Sequence, residues 1–246
     1  MNFMPGFFNK YYLYQRFFPG FGSIFINPFY FIRKRLVEKI KLFASELSGK
    51  LLDFGCGAKP YQELFSNAQN YIGIDIENEG HDHENENIDV YYDGETIPFD
   101  NETFDSIFSS EVLEHVPDVD ACLKELSRVL KPEGKVLITV PFVWQEHELP
   151  FDFRRFSVIG VKKQLEDNGF EILHEEKTGH FLEVAVQLWM IYLRRLFYVK
   201  NKYVNIVLNF IFISPSCLTG VFLSRILPKK RDLYFNAVVL AKKNNN

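Results

Sequence analysis

Cysteine is scarce in this chain: three in 246 residues, Cys56, Cys122 and Cys217, without paired spacing. That argues against a disulfide framework and a zinc site, and it suits a reducing compartment. The N-terminus lacks a compact apolar run followed by a small-residue cleavage site, so no secretory signal is expected. Acid is missing from residues 1–37, which hold five basic side chains. It is almost missing from 181–231, where Glu183 stands against eight basic residues. With a net charge of −4, the rest of the chain therefore carries −16. Basic segments rich in Phe and Tyr fit a surface that meets anionic lipid. Their aliphatic residues are too abundant for a nucleic-acid groove that must stay wet, so no nucleic-acid partner is expected. Charge vanishes altogether from Tyr203 to Ser224, a run long enough to span a bilayer.

Hydrophobic residues make up 47% of the chain, enough for a sizeable core. From Lys50 to Gly179 strand-like and helix-like segments alternate, the pattern of a parallel sheet with crossover helices. Strands are predicted at 50–54, 71–76, 88–92, 105–110, 134–140, 170–177 and 234–242. Helices are predicted at 29–47, 60–66, 119–130 and 157–168. The apolar face of 119–130 is Val119, Leu123, Leu126 and Leu130, and Pro132-Glu133-Gly134 closes it. Four segments follow: an extension at 1–48 with 13 aromatics in its first 31 positions, a core at 49–180, an insertion at 181–231, and a last strand and tail at 232–246. If the strands flanking the insertion pair, both of its ends lie on one side of any membrane. Ser214-Pro215-Ser216 then predicts two shorter helices lying in the interface or a re-entrant pair, with packing on the sheet edge or a dimer as the competing use.

One glycine turn is also short of a glycine. Leu51-Leu52-Asp53-Phe54-Gly55-Cys56-Gly57-Ala58-Lys59-Pro60 reads as a buried strand, a glycine-rich turn and the start of a helix. Such a turn brings backbone N–H groups close to a ligand. The dinucleotide pattern G-x-G-x-x-G needs a third glycine where Pro60 stands, which points away from NAD.

Other runs follow in order: Tyr71-Ile72-Gly73-Ile74-Asp75-Ile76, then Asp93-Gly94-Glu95-Thr96-Ile97-Pro98-Phe99 with Phe104-Asp105. Ser110-Glu111-Val112-Leu113-Glu114-His115-Val116 and Arg128-Val129-Leu130-Lys131-Pro132-Glu133-Gly134 complete the set. Together they resemble the class I S-adenosylmethionine (SAM)-dependent methyltransferases over about 45–180 and the final strand. The resemblance implies an α/β, Rossmann-like, seven-stranded, mostly parallel sheet in the order 3-2-1-4-5-7-6. Helices would cover both faces, with the helical insertion before the last strand. It implies SAM as cofactor, held by Asp53, Gly55, Cys56, Gly57, Asp75, Ile76, Asp93, Gly94, Ser110 and Glu111. Asp75 would accept the ribose hydroxyls, Asp53 would orient the ammonium end, and Asp93 would meet the adenine edge. Asp93 also reads as turn chemistry, and Asp89 as a structural loop end.

Beyond the fifth strand lies Pro141-Phe142-Val143-Trp144-Gln145-Glu146-His147-Glu148-Leu149-Pro150-Phe151-Asp152-Phe153-Arg154-Arg155-Phe156. It resembles a bacterial, methyltransferase-11-like subgroup often encoded beside surface-polysaccharide genes. A hydroxyl acceptor needs a general base, and His147 is the candidate, oriented by Asp152 or Glu146. Arg154 or Arg155 would hold a phosphate or carboxylate on the acceptor, with His115 and Trp144 beside it. The competing use of the loop is internal charge pairing. No metal is expected, and His81 and His83 read as part of a solvated acidic loop. The reading is O-methylation of a glycan or lipid-linked small molecule by a cytoplasmic enzyme, peripheral on the inner face of the cell membrane. Alternatives are C- or N-methylation of a quinone precursor or lipid head group, a non-catalytic SAM-binding scaffold, and a NAD-linked oxidoreductase. Oligomerisation is left open.

Overall fold

The computed structural model describes residues 6–76 and 87–244, so the His81/His83 loop lies outside the described residues. Two compact units divide the chain. One comprises 39–177 with 236–246, the other 1–38 with 178–235.

The first unit is built on seven strands: β1 (Gly49–Phe54), β2 (Ala68–Ile76), β3 (Val90–Tyr92), β4 (Phe104–Ser110), β5 (Leu130–Pro141), β6 (Phe170–Lys177) and β7 (Asn236–Lys243). Their order is β3-β2-β1-β4-β5-β7-β6. The first five run parallel, and β7 runs antiparallel to both of its neighbours. Successive residues Leu51, Leu52, Asp53 and Phe54 are all buried, as a strand covered on both faces requires. Between β1 and β4 the strand order reverses direction, which opens a crevice at their carboxyl ends.

Helix α4 (Val119–Val129) buries Val119, Leu123, Leu126 and Val129 and starts on Asp118, whose side chain accepts from the Ala121 amide at 3.0 Å. Leu130 is not part of that helix, because it already pairs with Phe104 in the sheet. The helix predicted at 60–66 is a single 3₁₀ turn at Gln62–Leu64. Lys59 sits at φ 50° and β2 begins at Ala68, which leaves no room for more. Helix α5 (Val158–Asp167) starts on Ser157, whose hydroxyl accepts from the Gly160 amide at 3.0 Å.

The second unit holds α1 (Gly6–Phe17), α2 (Ser23–Ile26), the first half of α3 (Tyr30–Ala44), α6 (Phe181–Phe197), α7 (Lys202–Leu208) and α8 (Ser214–Ile226). Gln187, fully buried on α6, donates to the Pro28 carbonyl at 2.7 Å and accepts from the Phe31 amide at 3.1 Å. That bond pair ties α6 to the start of α3. The break predicted at Pro215 does not occur. A π-helical stretch, Asn209–Ile213, joins α7 to α8 without interruption. Pro215 lacks an N–H and its ring crowds the carbonyl four residues back, and the wider π turn immediately before it relieves both problems. The continuous helix from Tyr203 to Ile226 is long and apolar enough to cross a membrane, and 22% of its apolar window is buried.

Candidate active site

The glycine turn after β1 is shaped by two left-handed residues, Gly55 at φ 71° and Gly57 at φ 46°. A Cβ on Gly55 would sit 2.4 Å from Cγ2 of Val112, so the turn and the segment after β4 touch there. A Cβ on Gly57 would meet nothing within 4 Å; that side of the turn faces open space. Asp75, near the carboxyl end of β2, accepts from the Gly57 amide at 2.8 Å, and its other oxygen accepts from the Ile76 amide at 2.8 Å. The turn thus has an acid fixed at its mouth.

Beneath it Asp53 is buried and accepts from the Tyr71 hydroxyl at 2.6 Å. Burial pushes its carboxyl up to about 7, against the opposing pull of the Tyr71 bond and the Lys59 charge. Lys59 is itself buried and pairs with Asp89 at 2.5 Å, while Asp89 accepts from the Gly73 amide at 2.7 Å. Sequence reasoning missed Lys59 and Tyr71; a lone cation just after a glycine turn was the available signal. Cys56 is buried beside these groups, and burial raises its thiol well above the usual range. Asp93 is exposed, and its Oδ1 accepts from the Glu95 and Thr96 amides at 2.8 and 2.9 Å, holding the turn that contains Gly94. Those bonds hold its carboxyl below the usual range.

At the end of β4 the Ser110 and Thr139 hydroxyls lie 2.9 Å apart. Glu111, at φ 58°, accepts from Thr139 at 2.9 Å and from Asn236 at 2.6 Å. Its carboxylate therefore links β4, β5 and β7 at the sheet's carboxyl edge. A short 3₁₀ turn, Leu113–His115, follows and places His115 edge-on to His147, with ring centroids 4.8 Å apart.

The loop after β5 is folded around one ion pair. Asp152 accepts from both Nη atoms of Arg155 and from the His147 amide at 2.9 Å, and its Oδ2 lies 3.3 Å from His147 Nδ1. The Arg155 guanidinium holds the Asp152 carboxyl well below the usual range. Arg155 also donates to the carbonyls of Trp144, Gln145 and Arg154, so its guanidinium is spent on the loop. Arg154 donates to the Pro117 carbonyl at 2.8 Å. Burial, and then His115, lowers the His147 imidazole below its ordinary value. Of the residues expected to orient it, Asp152 lies 3.3 Å from its Nδ1 without a hydrogen bond, while Glu146 is exposed. Lys59, Glu111 and Glu148, three of the five non-glycine residues with positive φ among those described, border these features.

Residues 52–138 match a family model described as a methyltransferase domain. That segment is similar to methyltransferase domains. It carries the glycine turn, Asp75, Asp93 and the β4 edge, and it ends before the His147 loop. Among curated proteins, the chain is 49% identical over 97 residues to the ubiquinone/menaquinone biosynthesis C-methyltransferase UbiE of Idiomarina loihiensis, covering 37% of this chain and 38% of that protein. It is 30% identical over 139 residues to the demethylmenaquinone methyltransferase of Staphylococcus saprophyticus, covering 49% of this chain and 58% of that one. The chain therefore spans less than two thirds of either relative. Two solved structures share the fold at 18% identity. The [4+2]-cyclase SpnF aligns with a TM-score of 0.54 over 88% of this chain and 84% of its own. Phosphoethanolamine N-methyltransferase 2 of Haemonchus contortus aligns at 0.53 over 92% and 56%. That a cyclase shares the architecture shows why the methyltransferase domain's chemistry must be argued from its side chains.

Proposed function

We propose that this chain is a SAM-dependent methyltransferase acting on a hydroxyl of a glycan or lipid-linked acceptor at the cytoplasmic face of the membrane. The observation that carries the methyl-transfer part is Asp75 docked on the glycine turn at the sheet's switch point, within the methyltransferase domain. The donor set fits the cofactor. Open space beside Gly57 admits a ligand against backbone, with the Asp75 carboxylate bonded to the Gly57 amide at its mouth and Asp53 buried beneath the turn. Asp53 takes the ammonium group and Asp75 the ribose hydroxyls, Asp93 with Gly94 the adenine edge, and Ser110 with Glu111 the wall toward β4. A structural neighbour solved with SAM supports the same reading. When bound, SAM supplies a methyl carbon on a positively charged sulfonium.

Titration calorimetry with SAM, its demethylated product and NAD tests this part. Asp75→Ala is expected to weaken SAM by about 10²-fold, since hydrogen bonds to a charged group are worth about 1.5–3 kcal/mol each. Tight binding of NAD by the wild-type chain would overturn the reading.

The acceptor lies beside the carboxyl ends of β4 and β5, where His147 activates its hydroxyl. Asp152 orients the imidazole, and Arg155 fixes Asp152. Arg155 thus serves the acceptor only through the loop. A second reading, C-methylation of a quinone precursor, is favoured by the names of the curated relatives. Carbon-13 spectra of the product made with labelled methyl separate the two, because a methyl on oxygen and a methyl on a ring carbon resonate far apart.

Membrane contact is supported by the helical unit. Trp189, Tyr192 and Leu196 on α6 and Phe222 on α8 are more than half exposed, and Arg194, Arg195 and Arg225 lie near them in sequence. Aromatics beside cations suit an anionic bilayer surface. The protein is expected to sediment with anionic vesicles. The pair Trp189→Ser and Phe222→Ser should weaken that binding roughly tenfold or more, each ring being worth about 1.5–3 kcal/mol when buried. A wild-type protein that stays in the supernatant sinks the membrane part alone.

A further inference from the structure

The crevice beside β4 holds a buried acid that the methyl-transfer reading does not use. Glu114 is fully buried, and neither of its carboxylate oxygens has a hydrogen-bond partner. Leaving such a group unmet is unfavourable in either protonation state, and more so when it is charged. Two imidazoles face it. His115 Nε2 lies 3.8 Å from Glu114 Oε1, and His147 packs edge-on against His115. One ligand atom from each of the three residues lies within 4.8 Å of the others.

A group stands behind each ring, hydrogen-bonded for His115 and 3.3 Å away without a hydrogen bond for His147. His115 Nδ1 is 2.8 Å from the Phe151 carbonyl, a partner that can only accept, so Nδ1 carries a proton and Nε2 is the nitrogen left to face Glu114 and, at 3.4 Å, Glu148. Asp152 stands 3.3 Å from His147 Nδ1 and is fixed in turn by Arg155. Backbone carbonyls and carboxylates in these positions are the groups that orient histidines toward metal ions. The backbone continues the pattern: the Phe153 amide donates to the Glu114 carbonyl at 3.0 Å, docking the loop onto the 3₁₀ turn.

We propose that Glu114, His115 and His147 bind one divalent transition-metal ion. Two imidazole nitrogens and one carboxylate oxygen suit Zn²⁺, Mn²⁺, Fe²⁺ or Co²⁺ better than Mg²⁺ or Ca²⁺. Three protein ligands leave positions open, and the side chains of His115 and His147 remain 15% and 28% accessible, so the site can be reached from one side. An acceptor oxygen is the ligand those positions would take, and His147 would then act on the acceptor through the ion. That use rests on the acceptor site proposed above; the binding itself does not.

The test is calorimetry with Zn²⁺ and visible absorption with Co²⁺, on tag-free protein carrying His81→Ala and His83→Ala to silence the acidic loop. One equivalent per chain is expected, with d–d bands in the Co²⁺ form. Glu114→Gln and His115→Ala should each weaken binding by 10²-fold or more, and Asp152→Asn by about 10–100-fold. SAM affinity and the melting temperature in EDTA, unchanged in Glu114→Gln, show that the fold survives. Absence of stoichiometric binding, or wild-type affinity in Glu114→Gln, overturns the proposal. Metal binding without SAM binding would leave this site standing and remove the methyl-transfer reading; SAM binding without metal would do the reverse.

Discussion

Alanine in place of His147 is expected to cut turnover by about 10²–10⁴-fold while leaving SAM affinity within a factor of two or so, the loss typical of removing a positioned acid–base group. The separation follows from where the residue sits. The SAM contacts proposed here come from the glycine turn, β2 and the β4 edge, whereas His147 lies on the loop after β5 and is held by Asp152. Removing the imidazole leaves the Asp152–Arg155 pair and its three carbonyl contacts intact, so the loop keeps its shape. Single-turnover product formation and calorimetry with SAM, run on the same preparation, measure the two quantities. Unchanged turnover would remove His147 from the acceptor chemistry.

Alanine in place of Gly55 should strike the cofactor site. Two costs combine. A non-glycine residue at φ 71° costs roughly 1–2 kcal/mol, and a methyl group 2.4 Å from Val112 Cγ2 costs about 1–3 more. We expect a loss of about 2–5 kcal/mol in urea unfolding and a fall in SAM affinity of at least tenfold, because the turn must shift to relieve the contact. Val112 is β-branched and stiff, so it cannot swing aside. Pairing Gly55→Ala with Val112→Ala separates the two costs. The double variant should recover the packing share and retain the backbone share, a coupling of about 1–3 kcal/mol in a double-mutant cycle. Additive effects would show that the turn and the segment after β4 do not press on one another.

Much of the fold was legible, and the reason is periodicity. Every strand predicted from Lys50 onward corresponds to an observed one, because buried strands write their identity in consecutive residues such as Leu51, Leu52 and Phe54. What failed was competition between neighbours. Pro215 reads as a break, yet a π turn just before it absorbs the missing donor. Residues 60–66 read as a helix, yet Lys59 in a left-handed conformation and an early β2 leave one 3₁₀ turn. In the site, the acids that end strands could be found by position: Asp53, Asp75, Glu111. Partnerships between distant residues could not. Lys59 meets Asp89 across 30 residues, and Tyr71 meets Asp53 across 18. The burial of Glu114 is not legible in Leu113-Glu114-His115, because nothing in that run marks its acid as interior. Sequence offers Arg154 or Arg155 for the acceptor or for pairing within the loop, and cannot show that Asp152, three residues away, holds Arg155.

The pairing of β6 with β7 has a consequence for how this chain can change. Lys177 and Ala237 are partners on one rung of the sheet, and just beyond them the Phe235 amide donates to the Thr178 carbonyl at 2.9 Å. Everything between those bonds leaves and re-enters through what is, to the sheet, one long hairpin. Doubling such a loop costs only about 0.6 kcal/mol of closure entropy. The helices from α6 to α8 can therefore lengthen, shrink or be exchanged between lineages at this rung while the strands keep their register. The carboxyl edge of the sheet and the apolar helices are free to evolve at different speeds.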